Sequence, residues 1–457
     1  MAHRRSIQQR QLDTAGKILF YLLCIVAGGV AFGLSVLATR QPLGLRGLAF
    51  HPFNLLGFFI VITILDFLFA YETTRSGESI RLSVYSESSP IIVQQGFLFF
   101  VLCCIGIFVG IALSIRNTNP VKSSIRDNSA DKSATQVLFL IAAALAAVTV
   151  ALVVEAALSR GSIAYVAATR GVFFRDNPIL YVFYSMLVPA FFIFGSRNNH
   201  PITVIWAFFL CVLLLLPMGS RGNLAILLVG VMFWVCRRVA IPVAALYIAA
   251  PLVAIGLTFY RWAARDSTVY GTFQQFLDAH GGLGGALFGT PEVSMAEAIT
   301  INLAQPVLHR APWDSIIGMI LIPVPRAIAP FKPVGASTEF TQGANLSRWM
   351  LVKSDWTITG FANLLVEFSY IGAILVIGLL SYWWSRTLIK ASADRMDIAF
   401  VGPVLIYFMY IFYRADLYNL GTTMWPALLI LIGHTFLTRM LMRRSTQNST
   451  RPLNNPR

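Results

Sequence analysis

Arg221 lies between two apolar runs, in Leu213-Leu-Leu-Leu-Pro-Met-Gly-Ser-Arg-Gly-Asn-Leu-Ala-Ile-Leu-Leu228. A lipid-facing arginine at such a place costs about 2.5 to 3.5 kcal/mol on insertion scales, so it either snorkels to the surface or faces a cavity and does work. Gly219 and Gly222 flank it, which permits a tight turn and leaves the guanidinium open to a ligand. Further cations cluster in two polar stretches. Arg160, Arg170 and Arg175 lie in 159–178, and Arg261, Arg265, Arg310, Arg326, Lys332, Arg348 and Lys353 in 259–358. Arginine suits phosphate because its planar fork donates two parallel hydrogen bonds and stays charged. Acids and bases are fewer. Glu367 stands near the start of an apolar block, Asp66 and Glu155 lie inside others, and His309 precedes Arg310. An intramembrane carboxylate is a functional candidate by default, able to accept a proton or to hydrogen-bond a neighbouring helix. Asp416 is expected to pair with nearby Arg414.

The elements that must position these residues are apolar blocks. Of the 457 residues 57% are hydrophobic and only 12% charged, with a mean hydropathy of +0.70, whereas soluble domains carry about 25% charged residues. Blocks run at 18–39, 52–71, 91–115, 136–158, 179–195, 201–217, 223–236, 239–258, 359–384, 397–413 and 421–438. The expected class is an all-α polytopic membrane protein, one membrane domain over 1–457 with about 10–12 transmembrane helices. The block at 18–39 reads as a first span rather than a cleavable signal.

Basic residues orient the spans. Arg116, Lys132, Arg237-Arg238, Arg386, Lys390 and the tail from Arg443 mark one face as cytoplasmic, which leaves 159–178, the Gly-Ser-Arg-Gly turn, 259–358 and 414–420 on the outer face. Eleven spans then put the N-terminus outside, against Arg4, Arg5, Arg10 and Lys17. Within the long loop, Asp314 to Pro333 is too short and too proline-broken to span. Pro323 and Pro325 should end a helix begun near Trp313. An amphipathic or re-entrant segment fits better, holding Arg326 and Lys332 at the depth of lipid phosphates.

Some chemistry is excluded. No P-loop, H-E-x-x-H, paired C-x-x-C or G-x-S-x-G motif is present, and Gly281-Gly-Leu-Gly-Gly285 reads as a flexible turn. No nucleotide or metal cofactor is expected. All five cysteines fall in apolar blocks without metal or disulfide spacing. The net charge of +15 is split among short loops and tails, so it favours lipid head groups over nucleic acid. The parts present are outer cations, apolar surroundings and an intramembrane carboxylate. They are those that glycosyl transfer from a lipid-linked sugar diphosphate needs: cations for the departing pyrophosphate and a base for the acceptor hydroxyl.

Three stretches carry a resemblance: Gly219-Ser-Arg-Gly222 between two spans, Ile322-Pro-Val-Pro-Arg-Ala-Ile-Ala-Pro-Phe-Lys-Pro333 late in the long loop, and Thr359-Gly with Glu367-Phe-Ser-Tyr-Ile-Gly372 opening the next span. In this order and spacing, from about residue 160 to 385, the chain resembles the bacterial oligosaccharide repeat-unit (O-antigen) polymerases of the Wzy type. The resemblance implies a glycosyltransferase of GT-C-like architecture in the bacterial inner membrane, with a large periplasmic loop at 259–358. It would join undecaprenyl-pyrophosphate-linked repeat units, donor and acceptor both lipid-linked, at a periplasmic site, with a chain-length regulator as a possible partner. Arg221 and Arg326 would correspond to the motif arginines and Glu367 to the span-opening glutamate. Lys332, Arg170, Arg175 and Arg310 complete the candidate anion-binding set, and Glu367 or His309 is the candidate base. Where the family often has a tryptophan before the Pro-x-Lys-Pro stretch, this chain reads Ile328-Ala329. Two alternatives stand beside the polymerase: an O-antigen ligase, whose signature is a loop arginine–histidine pair, and a transporter or flippase of an anionic glycolipid.

Overall fold

The computed structural model describes residues 2–76, 90–118, 129–159, 173–174, 177–198, 200–218, 221–263, 267, 271–279, 282–288, 295–304, 308, 310–324, 328–344, 358–392 and 395–449. Among them the regular structure is entirely helical. In chain order the helices are α1 (Ala2–Arg40), α2 (Pro52–Ser76), α3 (Pro90–Asn117), α4 (Ser129–Leu158), α5 (Pro178–Ser185), α6 (Leu187–Arg197), α7 (Pro201–Leu215), α8 (Arg221–Arg238), α9 (Val243–Arg261), α10 (Phe273–Ala279), α11 (Gly282–Phe288), α12 (Met295–Ala304), α13 (Asp314–Ile320), α14 (Ala336–Ala344), α15 (Gly360–Ala391), α16 (Arg395–Arg414) and α17 (Leu417–Ser449). Proline opens α2, α3, α5 and α7, the one helical position where its missing N–H costs nothing.

Every apolar block of the sequence is helical, which makes this a multi-pass, all-α membrane protein. Among the described residues seven helices are long and apolar enough to cross a bilayer, fewer than the blocks alone suggested. The blocks at 201–217 and 397–413 give shorter apolar helices, Pro201–Leu215 and Ile398–Arg414. Those at 223–236 and 239–258 form α8 and α9, of 18 and 19 residues, part of whose side chains lie outside the described set. The glycine run also departs from expectation: Gly282 takes a positive φ of 90° and the residues after it coil into α11 rather than a loop.

The chain divides into two compact units, one of Met1–Pro120, Met232–Lys390 and Leu405–Leu420, the other of Val121–Val231, Ala391–Val404 and Gly421–Arg457. In the first, α1, α3 and α15 run parallel. Gly16 lies against Gln94 and Gly33 against Phe108, while Gly106 lies against Ile374 and Gly110 against Gly378. Ser114 donates to Ser385 at 2.9 Å. The Gly106-xxx-Gly110 step brings two backbones together, and a Cβ on Gly110 would overlap the Gly378 carbonyl, as small residues permit at membrane helix crossings. Since Glu367 stands near the start of α15, the N-terminal end of α1 lies at the same end of this unit as the first turns of α15.

The opposite end is closed by the α1–α2 connection. The N–H groups of Arg46 and Gly47 donate to the Cys236 carbonyl at 2.9 and 2.8 Å, and the Arg46 guanidinium donates to Arg238 O. They satisfy carbonyls that the last turn of α8 leaves open. Gly47 is required here, because a Cβ would overlap the Ile241 backbone. His51 locks the same connection. Its Nε2 lies 2.7 Å from the Gln41 carbonyl, and its Nδ1 accepts the Phe53 N–H at 3.1 Å. These partners fix a neutral ring with the proton on Nε2.

Burial lowers the His51 pKa from 6.5 to about 4. The unfolded chain thus takes up the proton first, and stability is full above about pH 6.5 and falls as pH drops towards 4. The expected loss is about 3 kcal/mol across that window, at 1.36 kcal/mol per unit. Thermal unfolding in detergent at about pH 5 and pH 7 checks it. The midpoint should fall at the lower pH, and His51→Gln should flatten the dependence; equal slopes in both proteins would exclude His51 as the cause.

The intramembrane Asp66 has a structural partner. Its Oδ2 accepts the Ala296 N–H at 2.8 Å, capping α12, a loop helix buried against α2 and α3. In the second unit α4 packs on α5 and α6, with Phe139 stacked on Phe194. Asp131, in the first turn of α4, lies 3.2 Å from Arg197 and 2.8 Å from His434.

Candidate functional site

The site is assembled on the first two turns of α15. Thr359 accepts the Ala362 N–H on its hydroxyl at 3.2 Å, an N-cap that fixes where the helix begins. Asn363 and Glu367 then fall four residues apart on one buried face. Asn363 is a three-way tie. Its Nδ2 donates to Glu367 Oε1 at 3.0 Å and to Ser315 Oγ at 2.8 Å, and its Oδ1 accepts the Leu417 N–H at 3.2 Å. It thereby joins α15 to α13 and to the start of α17.

Glu367 Oε1 accepts two further hydrogen bonds, from the Ser315 N–H at 2.9 Å and from Arg310 Nε at 3.1 Å. The first is an orphan donor of the opening turn of α13. The second is a buried ion pair, with side chains 2% and 0% exposed. Arg310 Nη1 donates to Glu339 Oε2 at 2.7 Å and to the Val334 carbonyl at 3.0 Å. Two atoms of the pair, Arg310 Nη2 and Glu367 Oε2, have no partner among the described residues. Nε and Nη2 form one edge of a guanidinium, and it is this edge that Glu367 faces. A carboxylate normally closes both bonds of such a fork; here only one is made. What remains is one buried donor and one buried acceptor whose hydrogen-bonding capacity is unspent.

Two unusual backbone positions flank the pair. Ser369, two residues after Glu367, has φ 59° and ψ −174° and bends α15; this region is essentially confined to glycine. Trp313, two residues before Ser315, caps α13 with φ 77°. Its ring meets Phe368 edge to face, centroids 5.0 Å apart. Ser369→Gly should relieve about 1–3 kcal/mol of strain against about 0.4–1 kcal/mol of added chain entropy. The net expectation is a stabilisation of about 1 kcal/mol, seen as a higher unfolding midpoint in detergent. A lowered midpoint would mean that Ser369 is not strained.

The remaining candidates are distributed otherwise. Lys332 is buried, its ammonium donating to the carbonyls of Ile322 at 3.0 Å and Val324 at 3.4 Å and lying over the Tyr418 ring. It ties down the proline turn after α13, which ends at Ile320 ahead of Pro323. Asp416 does not pair with Arg414. Its carboxylate accepts the Ser337 N–H at 2.7 Å and both the N–H and the side-chain amide of Asn419. It lies between α16 and α17, where it caps two chain segments, while Arg414, the last residue of α16, donates to the Tyr410 hydroxyl. Arg170, Arg175, His309 and Arg326 lie outside the described residues, as does the side chain of Arg221 at the opening of α8. Ser315, Asn363 and Glu339 join the site without having been singled out in the sequence. Of these only Asn363 left a signal, a second polar residue four positions before Glu367.

Among the described residues no group of His, Cys, Asp and Glu is disposed to hold a metal ion. No family model, curated protein or solved structure matches the chain.

Proposed function

We propose that this chain is a membrane glycosyltransferase that joins lipid-pyrophosphate-linked oligosaccharide repeat units. The observation that carries the reading is the half-made Arg310–Glu367 fork, built on the opening turns of a span where the long loop folds back. In this reading the acceptor sugar hydroxyl, once admitted to the pair, donates to Glu367 Oε2, the carboxylate oxygen left unspent. The acceptor oxygen then bonds to the anomeric carbon of the donor, the bond from that carbon to pyrophosphate breaks, and the hydroxyl proton passes to the carboxylate. Lipid pyrophosphate leaves with the electron pair. Arg310 is already engaged by two carboxylates, so the arginines at 221, 326, 170 and 175 stay candidates for that leaving charge by residue type alone. The donor is activated before it arrives, so no nucleotide is consumed. The growing chain as donor and a single lipid-linked unit as acceptor make the protein a polymerase of the bacterial inner membrane working on the periplasmic face.

The test is reconstitution. Purified protein in liposomes, given lipid-linked repeat units and no nucleotide, should yield a ladder of polymers. Arg221→Ala should abolish the ladder at unchanged protein level, and Arg221→Lys should restore only part of it, because a point charge replaces the fork. A fully active alanine variant would remove Arg221 from the anion site. The central place of Arg310 also favours a ligase, whose signature is a loop arginine–histidine pair. Transfer to a lipid A core with no ladder from repeat units alone would decide for that reading.

A further inference from the structure

The segment from Trp313 to Val334 is arranged inside out. Two of its polar side chains turn inward: Ser315 is fully buried and Lys332 is 7% exposed, its ammonium donating to backbone carbonyls. Six large apolar side chains turn outward, while Ile322 is buried. Trp313, Ile317 and Ile320 form a stripe at helical spacing along α13, and Ile328, Phe331 and Val334 follow, with Ile328 and Phe331 about three-quarters exposed. In water this arrangement would be inverted, since burying lysine while exposing phenylalanine loses on both counts.

The stripe does not stop at the loop. Trp313 rests on Phe368, and from there α15 presents Ile371, Leu375 and Leu379, all strongly exposed, along one side of a membrane-spanning helix. The loop's apolar face thus continues a surface that a bilayer covers. A tryptophan at the junction is the residue expected at a headgroup boundary.

We propose that Trp313–Val324 and Ile328–Val334 lie against the bilayer, their apolar faces inserted at the boundary between head groups and acyl chains, with no protein partner covering them. The Arg310–Glu367 pair lies directly behind this face, because Ser315 of the same helix donates to Glu367. The lipid contact therefore sets the depth of the site, at the level where the head of a lipid-linked molecule travels. A carbohydrate platform is the competing use of Trp313, but sugar stacking asks nothing of Ile317, Ile320 and Ile328, whereas an acyl layer engages them all.

The experiment needs no activity, so its outcome is independent of the enzymatic reading. Ile317→Cys, Ile328→Cys and Phe331→Cys are spin-labelled in a Cys24→Ala background, the other native thiols being buried, and the full-length protein is placed in phosphatidylglycerol–phosphatidylethanolamine liposomes. Collision with dissolved oxygen should exceed collision with a water-soluble nickel chelate several-fold at all three positions, as at Ile371→Cys on the span. An exposed position elsewhere in the loop, Asp278→Cys, should show the reverse. Dominant nickel access at 328 and 331 would overturn the proposal in favour of a water-facing surface. Labels shielded from both agents, or disulfide-linked dimers of unlabelled Ile328→Cys, would overturn it in favour of a second copy.

Discussion

Arg310→Ala should destabilise the protein by about 3 to 5 kcal/mol, the range for breaking a buried ion pair from one side. The guanidinium offsets two carboxylates at once, Glu367 and Glu339, and also satisfies the Val334 carbonyl. Without it Glu367 stays buried, held by only the Ser315 N–H and the Asn363 amide. Glu339 is partly exposed and turns to water, so the loss falls on Glu367. Lysine at 310 should recover a minor part, because one ammonium cannot serve Glu367 and Glu339 along two edges of a plane. The pair Arg310→Met with Glu367→Leu should be more stable than Arg310→Ala, since apolar replacement removes the stranded charge along with its partner. Thermal unfolding in detergent measures all three. Wild-type stability in Arg310→Ala would show that the pair is not buried as described.

The same arrangement changes what the loop end offers to a ligand. The cations counted along 259–358 suggested a surface waiting for an anion. Arg310 and Lys332 are instead consumed internally, one by carboxylates and the other by carbonyls. Sequence composition reports how many charges a segment carries but not which are spent in folding it. Neither cation can turn to an anion without giving up a contact that the fold makes.

What was legible follows from the same physics. The apolar blocks declared themselves as helices because a bilayer demands long uninterrupted runs, and Glu367 stood out because a carboxylate in such a run has to be satisfied. Trp313 and Pro323 bounded a short loop helix for local reasons of backbone geometry. The partners of Glu367 were hidden. Ser315 contributes a backbone N–H, which every residue has, and Glu339 comes from a loop helix whose position no periodicity specifies. Asp66 was visible as a buried acid, yet its task of capping α12 depends on a contact 230 residues away along the chain. The glycines at 282–285 read as a turn because glycine lowers helix propensity, a weak prior that tertiary packing overrides.

Glu367→Gln is the substitution that separates chemistry from architecture. The amide oxygen can keep all three donors now on Oε1, from Arg310, Ser315 and Asn363, and Glu339 still offsets the Arg310 charge, so the fold should survive. The only atom whose nature must change is the free one. Where Oε2 accepts, the amide presents N–H, which cannot take a proton. If the fork holds the acceptor hydroxyl, turnover with lipid-linked repeat units should fall about 10²–10⁴-fold, the span expected for loss of a general base. The apparent KM for the acceptor should rise as well, because the same atom anchors the hydroxyl. The donor KM should not move, since the substitution leaves the candidate arginines untouched. A glutamate that only joined helices would show none of this: its glutamine variant would polymerise at the wild-type rate, and the catalytic base would then be sought at His309.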